Sequence, residues 1–139
     1  MALTTTEDLE NKLKALEKSE KEFFDATAKK IIEVAKEITE YHLDPFRLYQ
    51  LPEDYCEQCN EVYVSLGRPK EEGKKSEIII FEEHDCCGDV NAIKVAELSE
   101  FLSTNVPQYA FDVLIRSLQS AEQYIVRNKP DLRKFPLKP

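Results

Sequence analysis

Tyr55-Cys56-Glu57-Gln58-Cys59-Asn60 and His84-Asp85-Cys86-Cys87-Gly88 frame the stretch that decides how this chain folds. Between them lie two runs with strand character, residues 61–66 and 77–81, joined by a Gly- and Lys-bearing segment at 67–76. The pattern predicts an antiparallel hairpin, which returns the chain to where it started. Residues just before the first strand then lie beside residues just after the second. All four cysteines and one of the two histidines fall in those flanks. The base of the hairpin is therefore predicted to hold a metal ion or a disulfide.

Upstream, Thr4, Thr5 and Thr6 precede Glu7 and Asp8, a hydroxyl cap followed by acids at the positive end of a helix. Thr5 and Asp8 have capping-box spacing. No Pro or Gly interrupts the chain from there to about His42, so one long N-terminal helix is predicted. Leu9, Leu13, Leu16 and Phe23 fall at coiled-coil spacing, with Glu20 interrupting the seam. The apolar stripe then shifts onto Phe24, Ala28, Ile31, Ala35 and Ile38. The second half is expected to pack on the domain and residues 1–24 to project. That projecting helix would serve self-association or a protein partner; the alternative is a plain amphipathic helix lying on its own domain.

Asp44-Pro45 reads as a cap with Pro at the first helical position, which predicts a short helix over 46–50 stopped by Pro52. After the hairpin, Asp89 or Asn91 is expected to cap a helix running to about Ser103. Phe111, Leu114, Ile115, Leu118, Ala121 and Ile125 repeat at i, i+3, i+4, i+7 and predict a last helix to about Asn128, stopped by Pro130. Residues 130–139 carry three prolines and are expected to form an extended tail. The fold class is α+β: a long N-terminal helix, a stapled β-hairpin and two C-terminal helices, in a single domain of residues 1–139. A hairpin alone is marginal, so Phe111, Leu114, Leu118 and Ile125 are expected to cover Val62, Val64 and Leu66.

With 139 residues the chain is long enough to bury a core without staples. Its net charge of −8 disfavours binding to nucleic-acid phosphate. The excess is concentrated at 45–89, where 11 Asp and Glu face 5 Lys and Arg. No apolar run approaches the roughly 20 residues that span a bilayer, so no membrane contact is expected. Residues 1–6 have no basic flank and lead into no apolar stretch, so a secretory signal is not expected either. The expected compartment is the cytoplasm, where cysteines are thiols or metal ligands rather than disulfides.

Cys56-x2-Cys59 followed by Asn60 resembles a zinc knuckle, and His84-x2-Cys87 followed by Gly88 has the same shape with an imidazole for the first thiolate. The residue after each knuckle often needs positive φ, which Gly or Asn supplies. Together the two flanks resemble the zinc-ribbon or treble-clef class of small zinc sites, over residues 56–89 only. In the treble-clef version the second ligand pair lies at or near the start of a helix. The chain departs from the common pattern in having no Pro inside either knuckle and a surplus Cys86. The resemblance implies a structural zinc held by Cys56, Cys59, His84 and Cys87, with Cys86 as the alternative ligand. A Cys3His shell leaves no open position, the mark of a structural site.

Three other readings stay open. A disulfide could join Cys56 or Cys59 to Cys86 or Cys87; Cys56 and Cys59 could be a redox dithiol; or the cysteines could be plain buried thiols. Glu82, Glu83 and Asp85 crowd the second flank, and beside a three-ligand zinc such a carboxylate could activate water. Against that, the chain has no P-loop, no G-x-G-x-x-G and no H-E-x-x-H. Neither catalytic nor organic-cofactor residues are assigned. Three functions follow. The first is a small acidic intracellular protein-binding or regulatory module, zinc-stabilised and non-enzymatic. The second is a small zinc- or thiol-dependent enzyme. The third is an acidic protein of viral type that mimics or sequesters nucleic acid.

Overall fold

A computed structural model describes the backbone of residues 6–69, 78–85 and 88–128, with side chains from residue 20 onward. The Thr4–Thr5 cap, the segment 70–77, Cys86, Cys87 and the tail 129–139 lie outside the described residues, as do the side chains of Leu9, Leu13 and Leu16. An N-terminal helix, a four-stranded antiparallel sheet and two C-terminal helices make an α+β fold.

Helix α1 (Thr6–Glu40) runs unbroken for 35 residues, about 52 Å at 1.5 Å per residue. Its second half buries Ala28, Ile31, Val34, Ala35 and Ile38 along one stripe. The helix ends in a Schellman motif. His42 takes the left-handed conformation at φ 56°, the Leu43 amide bonds to the Ile38 carbonyl at 2.9 Å, and the His42 amide to that of Thr39 at 3.1 Å. His42 is thus the turn residue itself.

The expected short helix at 46–50 is instead strand β1 (Phe46–Gln50), and the hairpin is part of a larger sheet. β1 pairs antiparallel with β2 (Val62–Leu66), with a bulge between Arg47 and Tyr49 that leaves Leu48 as the extra residue, buried in the core. Pro45 fits because its fixed φ suits a strand entry as well as a helix start. β2 pairs with β3 (Ile80–His84) as the predicted hairpin, but the second strand runs three residues past the expected 81 and takes in His84, with Leu66 opposite Ile80 and Val62 opposite His84. The expected helix from Asp89 or Asn91 is likewise corrected. Residues Val90–Ala92 form edge strand β4 on β3, and helix α2 begins only at Leu98, running to Asn105.

The last helix, α3 (Phe111–Asn128), follows its predicted bounds. Phe111, Leu114, Leu118, Ala121 and Ile125 are buried in one core cluster with Val62, Val64, Leu66, Leu98 and Leu102, while Ile115 stays 36% exposed at the stripe's edge. Phe111 meets Phe23 and Phe24 edge-on or tilted at 5.3 Å, where α1 crosses α3.

Gly67 sets how closely α1 approaches the sheet. It opens the hairpin loop at φ +113°, and a Cβ there would stand 2.8 Å from Cγ2 of Ile38. Its amide closes the loop neck on the Ile79 carbonyl at 2.8 Å. No described helix is long and apolar enough to cross a membrane.

Candidate metal centre

Alternation along β3 sorts the crowded acids of the second flank. Ile80, Glu82 and His84 share the face of Leu66, Val64 and Val62, the face that carries the core. Glu83 lies on the other side with Arg47, whose Nε donates to Oε1 of Glu83 at 2.7 Å and whose guanidinium covers the Tyr63 ring at 4.3 Å. Asp85 joins that outer group, 3.9 Å from Arg47. Only Glu82 of the three acids faces the ligands.

The first flank is the connection between β1 and β2. A 3-10 turn at Glu53–Tyr55 leads into Cys56, and the Cys59 amide bonds back to the Cys56 carbonyl at 3.4 Å. This turn folds Cys59 inward, to 4% exposure, and leaves Cys56 half-buried. Antiparallel pairing brings His84 to the same place, since it stands opposite Val62, and the ladder continues past it from the Asp85 amide to the Glu61 carbonyl at 3.1 Å. The donor atoms of Cys56, Cys59 and His84 all lie within 4.8 Å of one another. The three lie close enough to bind one metal ion. Cys86 and Cys87, the other predicted ligands, lie outside the described residues.

Two expectations for the knuckles divide. Gly88 does take positive φ, at 70°, and its amide bonds to the His84 carbonyl at 3.0 Å. Asn60 does not, because His42 is the sole non-glycine with positive φ among the described residues. Nor does a helix follow His84, as a treble clef would require; β4 does.

His84 is held at both ring nitrogens. Nδ1 lies 3.5 Å from Sγ of Cys59, while Nε2 lies 3.2 Å from Oε1 of Glu82 and 3.2 Å from the Asn91 amide. Glu82 also accepts a hydrogen bond from Tyr55, the neighbour of Cys56. Burial above all, and then this bond to Glu82, push the Tyr55 phenol far above its ordinary range. Nothing in the sequence pattern marks Tyr55 or Asn91 as part of this site. The signal for Glu82 is its i, i+2 spacing from His84 on a strand.

Cys59 is disulfide-bonded, whereas Cys56 is a free thiol, so these two do not pair with each other. A disulfide sulfur is no thiolate, and the same sulfur serves either a covalent staple or a metal, not both. The donor set nevertheless suits a borderline-soft divalent ion once Cys59 is reduced. It offers sulfur and imidazole with a carboxylate behind the ring, the pattern of zinc sites.

The cavities on either side of the cluster are open clefts. One of about 390 Å³ is lined by Arg47, Phe81, Glu83, Asp85 and His84 itself among others, the other of about 440 Å³ by Glu82, Lys94, Glu97 and Phe101 among others. Neither is walled by Cys56 or Cys59. Compared with protein-family models, curated proteins and solved structures, the chain matches none.

Proposed function

We propose that this protein is a non-enzymatic, zinc-stabilised binding or regulatory module that works in a reducing, intracellular compartment. The observation that carries the reading is the convergence of Cys56, Cys59 and His84 within 4.8 Å at the hairpin base. With Cys59 reduced and Cys87 (or Cys86) as fourth ligand, the shell closes around a structural ion. Such an ion acts as a Lewis acid holding thiolates together, and its binding adds folding free energy on the order of 10 kcal/mol. What this chain supplies is the cage: two sulfurs from the β1–β2 connection and one imidazole from the end of β3. The partner site is the start of α1, where Leu9, Leu13 and Leu16 repeat at coiled-coil spacing, and the partner is a protein or a second copy.

The test is elemental analysis of the chain purified under reducing conditions, with thiols counted before and after chelation. One equivalent of zinc is expected, with cysteines that react only after the chelator. No bound metal in fully reduced protein refutes the zinc reading. Light scattering on the full chain, with Leu9→Glu and Leu16→Glu together, tests the helix; an unchanged mass and unchanged partner capture refute that half.

The arrangement of Cys56, His84 and Glu82 specifically favours one second reading, a thiol-dependent enzyme. A partly exposed thiol, an imidazole and a carboxylate are the parts of an activated nucleophile. Stoichiometric trapping of Cys56 by a mild electrophile, lost in His84→Ala, would support it over the structural role.

A further inference from the structure

We propose that Glu82 is a positioning residue of this site: it holds the proton of His84 on Nε2 and so presents the Nδ1 lone pair to the sulfurs. This deepens the metal reading and rests on it. A carboxylate oxygen only accepts hydrogen bonds, so the 3.2 Å contact from Oε1 of Glu82 to Nε2 requires the proton on that nitrogen. While Cys59 is in its disulfide, that sulfur can only accept, from a proton on Nδ1; once Cys59 is reduced, Nδ1, 3.5 Å from its Sγ, is the basic nitrogen and the one able to ligate. The Asn91 atom 3.2 Å from Nε2 is its amide nitrogen, a donor that as placed calls for a lone pair there; the proposed tautomer requires the amide flipped, with its oxygen turned to Nε2.

The carboxylate is itself fixed from two directions. Glu82 and His84 lie two residues apart on β3, so the pleat puts them on one face, where their side chains are only 16% and 10% exposed. Tyr55 donates to Glu82 from the first flank, one residue before Cys56. Glu82 is therefore tied to both feet of the hairpin, to one through a phenol and to the other through the imidazole. A largely buried carboxylate on a core-facing strand position is costly unless such partners hold it. Ring-held carboxylates of this kind orient metal-ligating histidines, and losing one weakens metal affinity by about 10–100-fold.

The test uses the fully reduced full-length chain. Long-range ¹H–¹⁵N correlation on the His84 ring reads the tautomer without metal, and competition against a chromophoric chelator reads zinc affinity. The wild type is expected to show Nε2–H. Glu82→Ala should weaken zinc binding about 10–100-fold and mix the tautomers. Glu82→Gln, whose amide oxygen still accepts from Nε2, should retain both within a few-fold. A wild-type ring protonated on Nδ1, or Glu82→Ala binding zinc like the wild type, overturns the proposal. Should the wild type bind no zinc while its ring shows Nε2–H that Glu82→Ala loses, the metal reading falls and the hold of Glu82 on the ring stands.

Discussion

Replacing Gly67 by Ala tests the contact on which the approach of α1 to the sheet depends. Two costs add. The first is conformational: φ +113° is a region that L residues rarely occupy, and holding Ala there costs about 1–3 kcal/mol. The second is overlap, since the new Cβ would stand 2.8 Å from Cγ2 of Ile38 and 3.4 Å from Cα of Pro45. Ile38 is fully buried in the core and has no room to withdraw. Overpacking of that kind costs about 1–3 kcal/mol. The sum, about 2–6 kcal/mol, is a large part of a typical total of about 5–15 kcal/mol. Urea denaturation should show the midpoint falling by about 1–3 M at unchanged slope. Ile38→Ala deletes the offending methyl, so Gly67→Ala in that background should keep only its conformational cost. Ile38→Val keeps a methyl at the same place and should restore the full penalty. A midpoint shift below about 0.3 M, or the same penalty with and without Cγ2, would refute the reasoning.

Other changes should give smaller, equally definite results. Burial, and secondarily Tyr109, raise the Tyr49 phenol above 10.0. Its contribution to stability is whole below that pH and disappears as the pH climbs through the raised folded value. Tyr49→Phe should therefore flatten the alkaline fall in urea midpoint, and curves that run parallel would contradict this. Ser65 is fully buried, with no hydrogen-bond partner for Oγ among the described residues. Ser65→Ala should be neutral or stabilising by up to about 1 kcal/mol, and a clear loss in the same assay would count against it. Lys30 and Glu122 pair at 2.9 Å with both side chains 45% exposed, so Lys30→Met should cost less than about 0.5 kcal/mol, falling further in high salt. A larger, salt-independent loss would be the contrary finding.

What could be read from residue order alone was whatever repeats over several turns or is punctuated strongly. α1 was legible because no Pro or Gly interrupts it, and α3 because its stripe runs through four turns. The hairpin was legible from its flanks, and with it the meeting of Cys56, Cys59 and His84. β1 was not, because Asp44-Pro45 enters a strand as readily as a helix, and five residues are too few to separate the two periods. The bulge at Leu48 also breaks the alternation that would have marked it. β4 has only three residues, and pairing with β3 rather than any preference of Val90-Asn91-Ala92 makes it a strand. Within the site, Glu82, Glu83 and Asp85 looked alike as a run of acids. Separating them needed the strand's register, and finding Tyr55 and Asn91 needed the sheet.

The three aromatic rings where α1 crosses α3 have a consequence for the order of events during synthesis. Phe23 waits for Phe111, Asp25 for Ser99 and Lys30 for Glu122. At ordinary ribosomal speeds the first helix leaves the exit tunnel about 5–20 seconds before its cover. Through that interval the Ala28 end of the stripe lacks the two late helices, while Ile38 already has the Gly67 end of the ribbon against it. The ribbon, by contrast, closes on partners only 25 positions apart and is complete before either late helix has emerged.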